Sequence, residues 1–506
     1  MGALKVVALV AIFGVVNGSK ILALFPSPGY SQYILAEKLM GSLAKRGHQV
    51  TVISEYEPSE KIDNFVTIKL DKSKDFHNTM DLALWDAKNS FEVTAEFLDI
   101  SLYYGEVPLK QKQVQDLIKS NSTFDLVIVE NFCNEAQLGF GEHFKAPVIV
   151  FSSQPMHEWN AHYVGNAKLP SISPNVFTQY TNHMSFFERL HTLLLTAFDI
   201  LYKELVYFPE QQRFLDEYFP EKMDLRKVIR NVEMLLVFAH PLTTEPSLIT
   251  SAVVEVGGFH IMPKKLPRGI QTILDGAKNG AILVSLGSNI PCHKLPKEQL
   301  DIFLRVFKKL PQRILWKCEL DIPNTPNNVF LSKWVPQPDV LAHPNTVAFV
   351  THNGLLSTTE AMYFGVPMIS VPVFVDQKIN AVRARKLGVA EKVDFINMKE
   401  EDFYEAIKKV TQNSNYTNQM KKLSQMFRDQ PSSPLDRAIN NIEYVLKYRP
   451  GKYLRSPALD LWWFQLYMVD VVIFILASAV AVCLLILFVI RKLVCKKKEI
   501  IKNKTD

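Results

Sequence analysis

The densest concentration of polar and glycine residues lies at 349–377, where an apolar run leads into Thr351-His352-Asn353-Gly354 and then Leu355-Leu356-Ser357-Thr358-Thr359-Glu360. The pattern predicts a strand over Val347–Val350, a glycine turn, and a helix that begins near Leu355. A helix N-terminus beyond the carboxyl end of a parallel strand is an anion site, because its first N–H groups lack helical partners and the dipole turns its positive end outward. Ser357 adds a hydroxyl there. Glu360, one turn further along the same face, offers a carboxylate to ribose hydroxyls. After the next strand, Met368–Phe374, Asp376 and Gln377 emerge at the same sheet edge with two side chains suited to sugar hydroxyls. Each residue has an ordinary explanation alone: Ser357 as a helix cap, Glu360 on a solvated face, His352 as a hydrogen-bonded turn residue. Together, at strand carboxyl ends, they favour a phosphate joined to a sugar.

Such residues need a parallel sheet to position them, and the chain carries that pattern twice. Lys20–Phe25 reads as a strand, Pro26-Ser27-Pro28-Gly29 as a turn, and the next stretch as a helix with Ile34, Leu35, Leu39 and Leu43 on one face. Lys45 and Arg46 suit its last turn and Gly47 its end, before a strand at Gln49–Ser54. Phe124–Glu130 and Ala146–Ser153 read as buried parallel strands. The stretch 241–273, with four prolines and Gly257-Gly258, suits an interdomain connection. The alternation then restarts with strand Ala281–Leu286, Gly287-Ser288, helix Gln299–Leu310, strand Arg313–Cys318 and the strands of the 349–377 region. The expectation is an α/β protein of two doubly wound units, followed by a helix at 434–448 and a stalk. The glycine-free apolar zone at 185–225, with Phe186, Phe187, Leu190 and Leu193–Leu195, is expected to be a core helix pair. A greasy wall for an apolar ligand or a membrane surface is the alternative.

The totals fit this picture. With 506 residues, 48% apolar and 21% charged, the chain is a globular protein of more than one domain, neither disordered nor a disulfide-dense scaffold. Of the net charge of +6, residues 491–506 supply +5, so the body has no nucleic-acid footprint. Residues 1–18 have the layout of a secretory signal peptide. Val471–Ile490 is a charge-free apolar run of 20 residues, long enough to cross a bilayer. Basic residues after it place the tail in the cytosol and the body in the lumen. Trp462, Trp463 and Tyr467 suit the interface beside it. The end, Lys502-Asn503-Lys504-Thr505-Asp506, resembles a dilysine retrieval signal, so a single-pass type I protein of the endoplasmic reticulum membrane is expected. Asn121 and Asn415 begin glycosylation sequons. Cys133, Cys292 and Cys318 allow at most one lumenal disulfide and show no metal-ligand spacing.

The 349–377 segment resembles the signature of the UDP-glycosyltransferase family. Thr351, His352, Gly354, Ser357, Glu360, Pro367, Pro372, Asp376 and Gln377 fall at the family spacing, and Trp334-Val335-Pro336-Gln337 matches the start of the same donor site. The resemblance spans nearly the whole chain, and Phe124–Glu130 and Gly139–Ser153 look most like insect members. It implies a GT-B architecture, two Rossmann-like domains facing a cleft. The corresponding boundaries are signal peptide 1–18, acceptor-binding domain 19–255, UDP-sugar-binding domain 256–450, stalk 451–470, transmembrane helix 471–490 and tail 491–506. By the resemblance Trp334 stacks on uracil and Gln337 contacts uracil or ribose. Ser288, His352 and the amides near Asn353, Gly354 and Ser357 face the phosphates, Glu360 binds ribose, and Asp376 and Gln377 bind the sugar. The implied reaction is inverting transfer of glucose or glucuronate to a hydroxyl of a small lipophilic acceptor. It needs no cofactor beyond the UDP-sugar co-substrate. No metal is expected, since the chain lacks Asp-x-Asp, and a homo- or hetero-oligomer is compatible.

Two positions depart from the family pattern. The usual histidine base of the first glycine turn is replaced by Gln32, which takes up no proton at neutral pH, and the position of its acidic partner is Glu130. Three readings stand open: Glu130 is itself the base, a mobile His157 or His162 serves, or the protein binds donor and acceptor with little or no turnover, as a relative that holds lipophilic ligands or pairs with active members. His48 reads as a structural turn residue. Asn353 stands where the family has a small residue; asparagine tolerates positive φ, while its side chain is positioned to crowd the pyrophosphate.

Overall fold

Lys20–Phe25 forms β1, buried at every residue but the first, as befits a central strand covered on both faces. The computed structural model describes residues 18–73, 88–166, 168–288 and 290–502, so nearly all of the expected signal peptide and the last four tail residues lie outside the described residues. After β1 come α1 (Tyr30–Lys45), β2 (Gln49–Ser54), β3 (Phe65–Lys69), α2 (Ser90–Lys110), β4 (Leu126–Glu130), β5 (Val148–Ser152), α3 (Phe186–Tyr202), α4 (Phe208–Tyr218), β6 (Val232–Val237) and β7 (Val253–Glu255). Gly47 closes α1 at φ +98°, a conformation that costs glycine nothing. The seven strands are parallel, in the order β3-β2-β1-β4-β5-β6-β7.

A second parallel sheet follows, ordered β10-β9-β8-β11-β12-β13. Its elements are β8 (Ala281–Ser285), α5 (Lys297–Lys308), β9 (Arg313–Lys317), β10 (Val329–Ser332), β11 (Thr346–Thr351), α6 (Leu355–Phe364), β12 (Met368–Ser370), α7 (Gln377–Lys386) and β13 (Ala390–Lys392). Each sheet has a hydrophobic core on both faces. The architecture is two Rossmann-like halves of GT-B type. In each, the strand order reverses once, at β1/β4 and at β8/β11, and a ligand crevice opens at the carboxyl edge of such a reversal.

The strand expected over Met368–Phe374 ends at Ser370; beyond it the chain turns away with Val375 at φ +51°. α8 (Pro434–Tyr448) crosses back to the first sheet, where Ala438, Ile439, Ile442 and Val445 share a core with Ile21, Phe25 and Leu39. The 185–225 zone is helical, but the core helix pair is corrected for α3. Phe186, Phe187, Leu190, Leu193, Leu194 and Leu201 are exposed, while Thr192, Leu195 and Asp199 face inward. Cys292 and Cys318 form a disulfide that ties the loop after β8 to the end of β9, and Cys133 is a buried free thiol. Asn121 and Asn415 are both exposed.

The chain divides into two compact units, Met1–Arg455 and Ser456–Asp506. The second contains α9 (Val469–Lys502), whose stretch Val469–Val494 is long and apolar enough to cross a membrane, with mean hydropathy 3.2.

Candidate donor site and first glycine turn

At the carboxyl edge of β11, Thr351 ends the strand and His352 is buried. Its imidazole is wedged between two glycines. A Cβ on Gly287, which sits at φ +85°, would lie 2.7 Å from the ring, and one on Gly354 would lie 2.6 Å from Nε2. Burial first, and the Lys317 ammonium second, push the His352 pKa down to about 3. His352 is therefore a neutral hydrogen-bonding group, not a charge. Asn353 adopts φ +61°, as its substitution for a small residue requires. Its side chain does not crowd the crevice: it is fully buried, with Nδ2 3.8 Å from the Met368 sulfur.

α6 starts after Gly354 without a side-chain cap, the helix N-terminus at which the sequence places the anion site. The sequence-derived polar residues gather around it. Gln337 Nε2 donates to Ser357 Oγ at 3.0 Å and to Glu360 Oε2 at 2.6 Å. The other Glu360 oxygen lies 3.0 Å from His260 Nε2. Glu360 is thus pre-oriented, and the spare lone pairs of its oxygens remain for ribose hydroxyls. Trp334 is 57% exposed and meets Tyr30 of the first domain edge-on, with ring centres 6.3 Å apart. An exposed indole face offers a base a stacking platform. Ser288 is exposed on the loop after β8.

Asp376 and Gln377 behave differently from each other. Asp376 Oδ2 accepts from Asn380 Nδ2 at 2.8 Å, and burial raises its pKa to about 6, with the Asn380 bond and the Leu355 amide pulling it back. It lines a crevice between the two domains with His157, Lys168 and Arg383. Gln377 turns its carbonyl oxygen inward, where it accepts from the amides of Val373 and Phe374.

In the first domain, Ser27 connects the two residues of interest at the β1/β4 reversal. Its hydroxyl donates to Gln32 Oε1, and its amide approaches Glu130 at the end of β4. Neither Glu130 oxygen meets a donor in good hydrogen-bond geometry. Burial raises the Glu130 pKa to about 8, and the nearby Ser153 hydroxyl and Ser27 amide offset this only in part. His162 is held to about 3 and His157 is lowered, both chiefly by burial. His162 Nε2 lies 3.6 Å from Glu135. His48 is structural: its Nδ1 accepts from the Ser19 amide and its Nε2 faces Glu443.

Sequence reasoning missed His260, Lys317 and Tyr30. His260 follows Gly257-Gly258 in what composition reads as a connector; Lys317 is the one basic residue of the run Ile314–Cys318. Cys292, Cys318 and Glu319 lie close enough to hold a metal ion, but both sulfurs are committed to the disulfide.

Residues 19–504 match the family described as UDP-glucoronosyl and UDP-glucosyl transferase. UDP-glucosyltransferase 2 of Dactylopius coccus is 31% identical over 502 residues, covering 96% of both chains. UDP-glucuronosyltransferase 2B7 of Homo sapiens is 28% identical over 487 residues, covering 90% of each. Among solved structures, a UDP-glucosyltransferase from Polygonum tinctorium superposes with a TM-score of 0.58 at 15% identity, over 85% of this chain and 99% of that one. The calicheamicin glycosyltransferase CalG4 gives 0.56 at 16% identity over 86% and 100%. With a match of this extent, the chain belongs to the UDP-glucuronosyl and UDP-glucosyl transferase family and is a UDP-glycosyltransferase.

Proposed function

We propose that the protein transfers glucose or glucuronate from its UDP-sugar to a hydroxyl of a small lipophilic acceptor, with inversion and without a metal. In this reading Val469–Val494 anchors it in the endoplasmic reticulum membrane, with the body lumenal. One observation supports it most: along the carboxyl edge of the second sheet stand, in strand order, the Trp334 indole, the uncapped α6 N-terminus with its pre-oriented Glu360 carboxylate, and Asp376, the order in which a UDP-hexose presents base, ribose, phosphates and sugar. The relatives named for glucosyl and glucuronosyl transfer support both sugars.

Glu130 serves as the general base. It is the carboxyl group at the β1/β4 reversal, the Ser153 hydroxyl and Ser27 amide approach it without a bond of good geometry, and it lies beside the turn that presents Gln32. Gln32 orients the acceptor hydroxyl through its amide N–H groups, since its oxygen already accepts from Ser27. The α6 amides, with neutral His352, receive the phosphate charge that a metal would otherwise meet. The test is UDP release by the full-length protein with each UDP-sugar over a panel of lipophilic phenols and alcohols. UDP binding without release across that panel overturns transfer.

One observation favours a second reading, a weak or inactive relative that binds lipophilic ligands or pairs with active members. Below pH 8 most Glu130 is protonated, so the resting site holds little base. Gln32→His separates the two. At pH 9, where Glu130 is ionised, the base reading expects a gain under tenfold, whereas a hundredfold gain favours the second reading.

A further inference from the structure

Strand order fixes a sequence of side chains along the carboxyl edge of the second sheet. Trp334 follows β10, Lys317 closes β9, Gly287 and Ser288 follow β8, His352 follows β11, and Asp376 follows β12. Neighbouring strands stand about 4.8 Å apart, so these five stations span roughly 19 Å. A UDP-hexose laid along that edge passes from base through ribose and diphosphate to hexose. The station at β9 falls between the base platform and the phosphate loop, and it holds a cation.

The placement of Lys317 is specific. Its Nζ donates to the Gly287 carbonyl at 3.3 Å and stands 5.6 Å from the centre of the Trp334 ring. Among the described residues no ion pair involves it. Glu319, the carboxylate that acts on it electrostatically, is bonded to the Cys292 and His293 amides and to His293 Nδ1. Burial draws the Lys317 pKa below the usual lysine value, and the Glu319 carboxylate offsets this only in part. His352, the other basic side chain at the phosphate loop, is neutral. Lys317 is the cationic side chain that touches this loop, through the Gly287 carbonyl.

Resting on the donor-site reading above, we propose that Lys317 is a catalytic residue that binds the diphosphate of the UDP-sugar and stabilises the departing UDP. In the transfer, the acceptor oxygen bonds to the anomeric carbon as the bond from that carbon to the β-phosphate oxygen breaks. The electron pair leaves on the phosphate oxygen, and the acceptor proton passes to Glu130. Lys317 gains and loses no proton; its charge faces the oxygens on which negative charge grows. The Gly287 carbonyl and the indole hold the ammonium in place, so little reorganisation accompanies the reaction.

The test is calorimetric titration of the full-length protein with UDP and with uridine, in wild type, Lys317→Met and Lys317→Arg. Lys317→Met is expected to weaken UDP at least tenfold and leave uridine within twofold, while Lys317→Arg keeps UDP within threefold. Equal UDP affinity in wild type and Lys317→Met overturns the proposal, and so does an equal loss for UDP and uridine, which marks Lys317 as a prop for Trp334. A measurement without a variant covers the case of misfolding: amine-reactive labelling of Lys317 in wild type, read by peptide mass spectrometry. Saturating UDP should slow labelling tenfold and uridine should not; labelling that ignores UDP overturns the proposal. Wild type that binds no UDP at all overturns the donor site itself, a separate result.

Discussion

His260 and Glu360, one hundred residues apart, share a buried contact of 3.0 Å between Nε2 and Oε1. A carboxylate only accepts, so the imidazole donates. Gln337 holds the second oxygen at 2.6 Å, and the carboxylate is thereby fixed in orientation. A hydrogen bond to a charged group contributes about 1.5–3 kcal/mol, which sets the scale. His260→Ala should raise the KM for UDP-sugar roughly ten- to hundredfold, with kcat changed far less. His260→Gln, whose amide nitrogen reaches the place of Nε2, should restore most of it. Steady-state kinetics with donor varied checks this, and an unaltered KM in the alanine variant would show that Gln337 suffices.

The raised pKa of Glu130 makes both rate and stability depend on pH. As the proposed base it acts only when ionised, so kcat/KM should climb from pH 6 and level off above about 8. For stability the sign is the reverse of the usual acidic side chain. Between the ordinary value of 4.5 and about 8 the folded state holds a proton that the unfolded state releases, so this group's contribution falls as pH rises through that window. Glu130→Gln should cut turnover by about 10²–10⁴-fold, yet melt at a higher temperature than wild type at pH 9 and near it at pH 5. A rate profile that is level from pH 6 to 9 removes Glu130 as the base.

Most central strands were legible in the sequence because burial on both faces writes them as unbroken apolar runs, as in Ile21–Phe25 and Leu126–Val129, whereas β6, an inner strand too, was not, Glu233 interrupting its run. The edge strands were not. β3, β7, β10 and β13 are short and partly exposed, and their residues resemble loop. The strand, turn and helix start of the 349–377 segment were legible because they are local, falling within about thirty residues. His260 and Lys317 join that segment only through tertiary contact, which no spacing encodes. Periodicity announced that α3 has an apolar face; whether anything covers Phe187 or Leu194 depends on neighbours, and here both are exposed.

The Cys292–Cys318 disulfide ties together two segments of the candidate donor edge. It joins the loop that follows Ser288 to the residue after Lys317, and it spans 26 residues of chain. A closed loop of that size is worth about 3–4 kcal/mol through the unfolded state. Cys292→Ser with Cys318→Ser should therefore lower the melting temperature by several degrees and weaken UDP more than it weakens an acceptor analogue. Melting curves with and without reductant, paired with UDP titration, test both parts. Equal melting of the oxidised and reduced protein would count against that stabilisation.

Gly287 and Asn353 both have positive φ at the phosphate loop, but their side-chain directions give them opposite tolerances. At Gly287 any Cβ would stand 2.7 Å from the His352 ring, so a side chain there must displace the imidazole. The backbone at φ +85° adds strain to every non-glycine residue there. Gly287→Ala should thus displace His352 and weaken UDP by at least tenfold while the remote cores stay intact. Asn353 instead sends its side chain into the interior toward Met368, and its φ of +61° suits glycine equally. Asn353→Gly should leave UDP affinity within about threefold and change stability by less than the usual ~1 kcal/mol of a point mutation, since lost packing is set against relieved strain. Parallel UDP titrations and thermal melts of the two variants decide the matter: comparable losses of UDP in both would mean that the loop backbone, rather than the position of the imidazole, governs the grip on the donor.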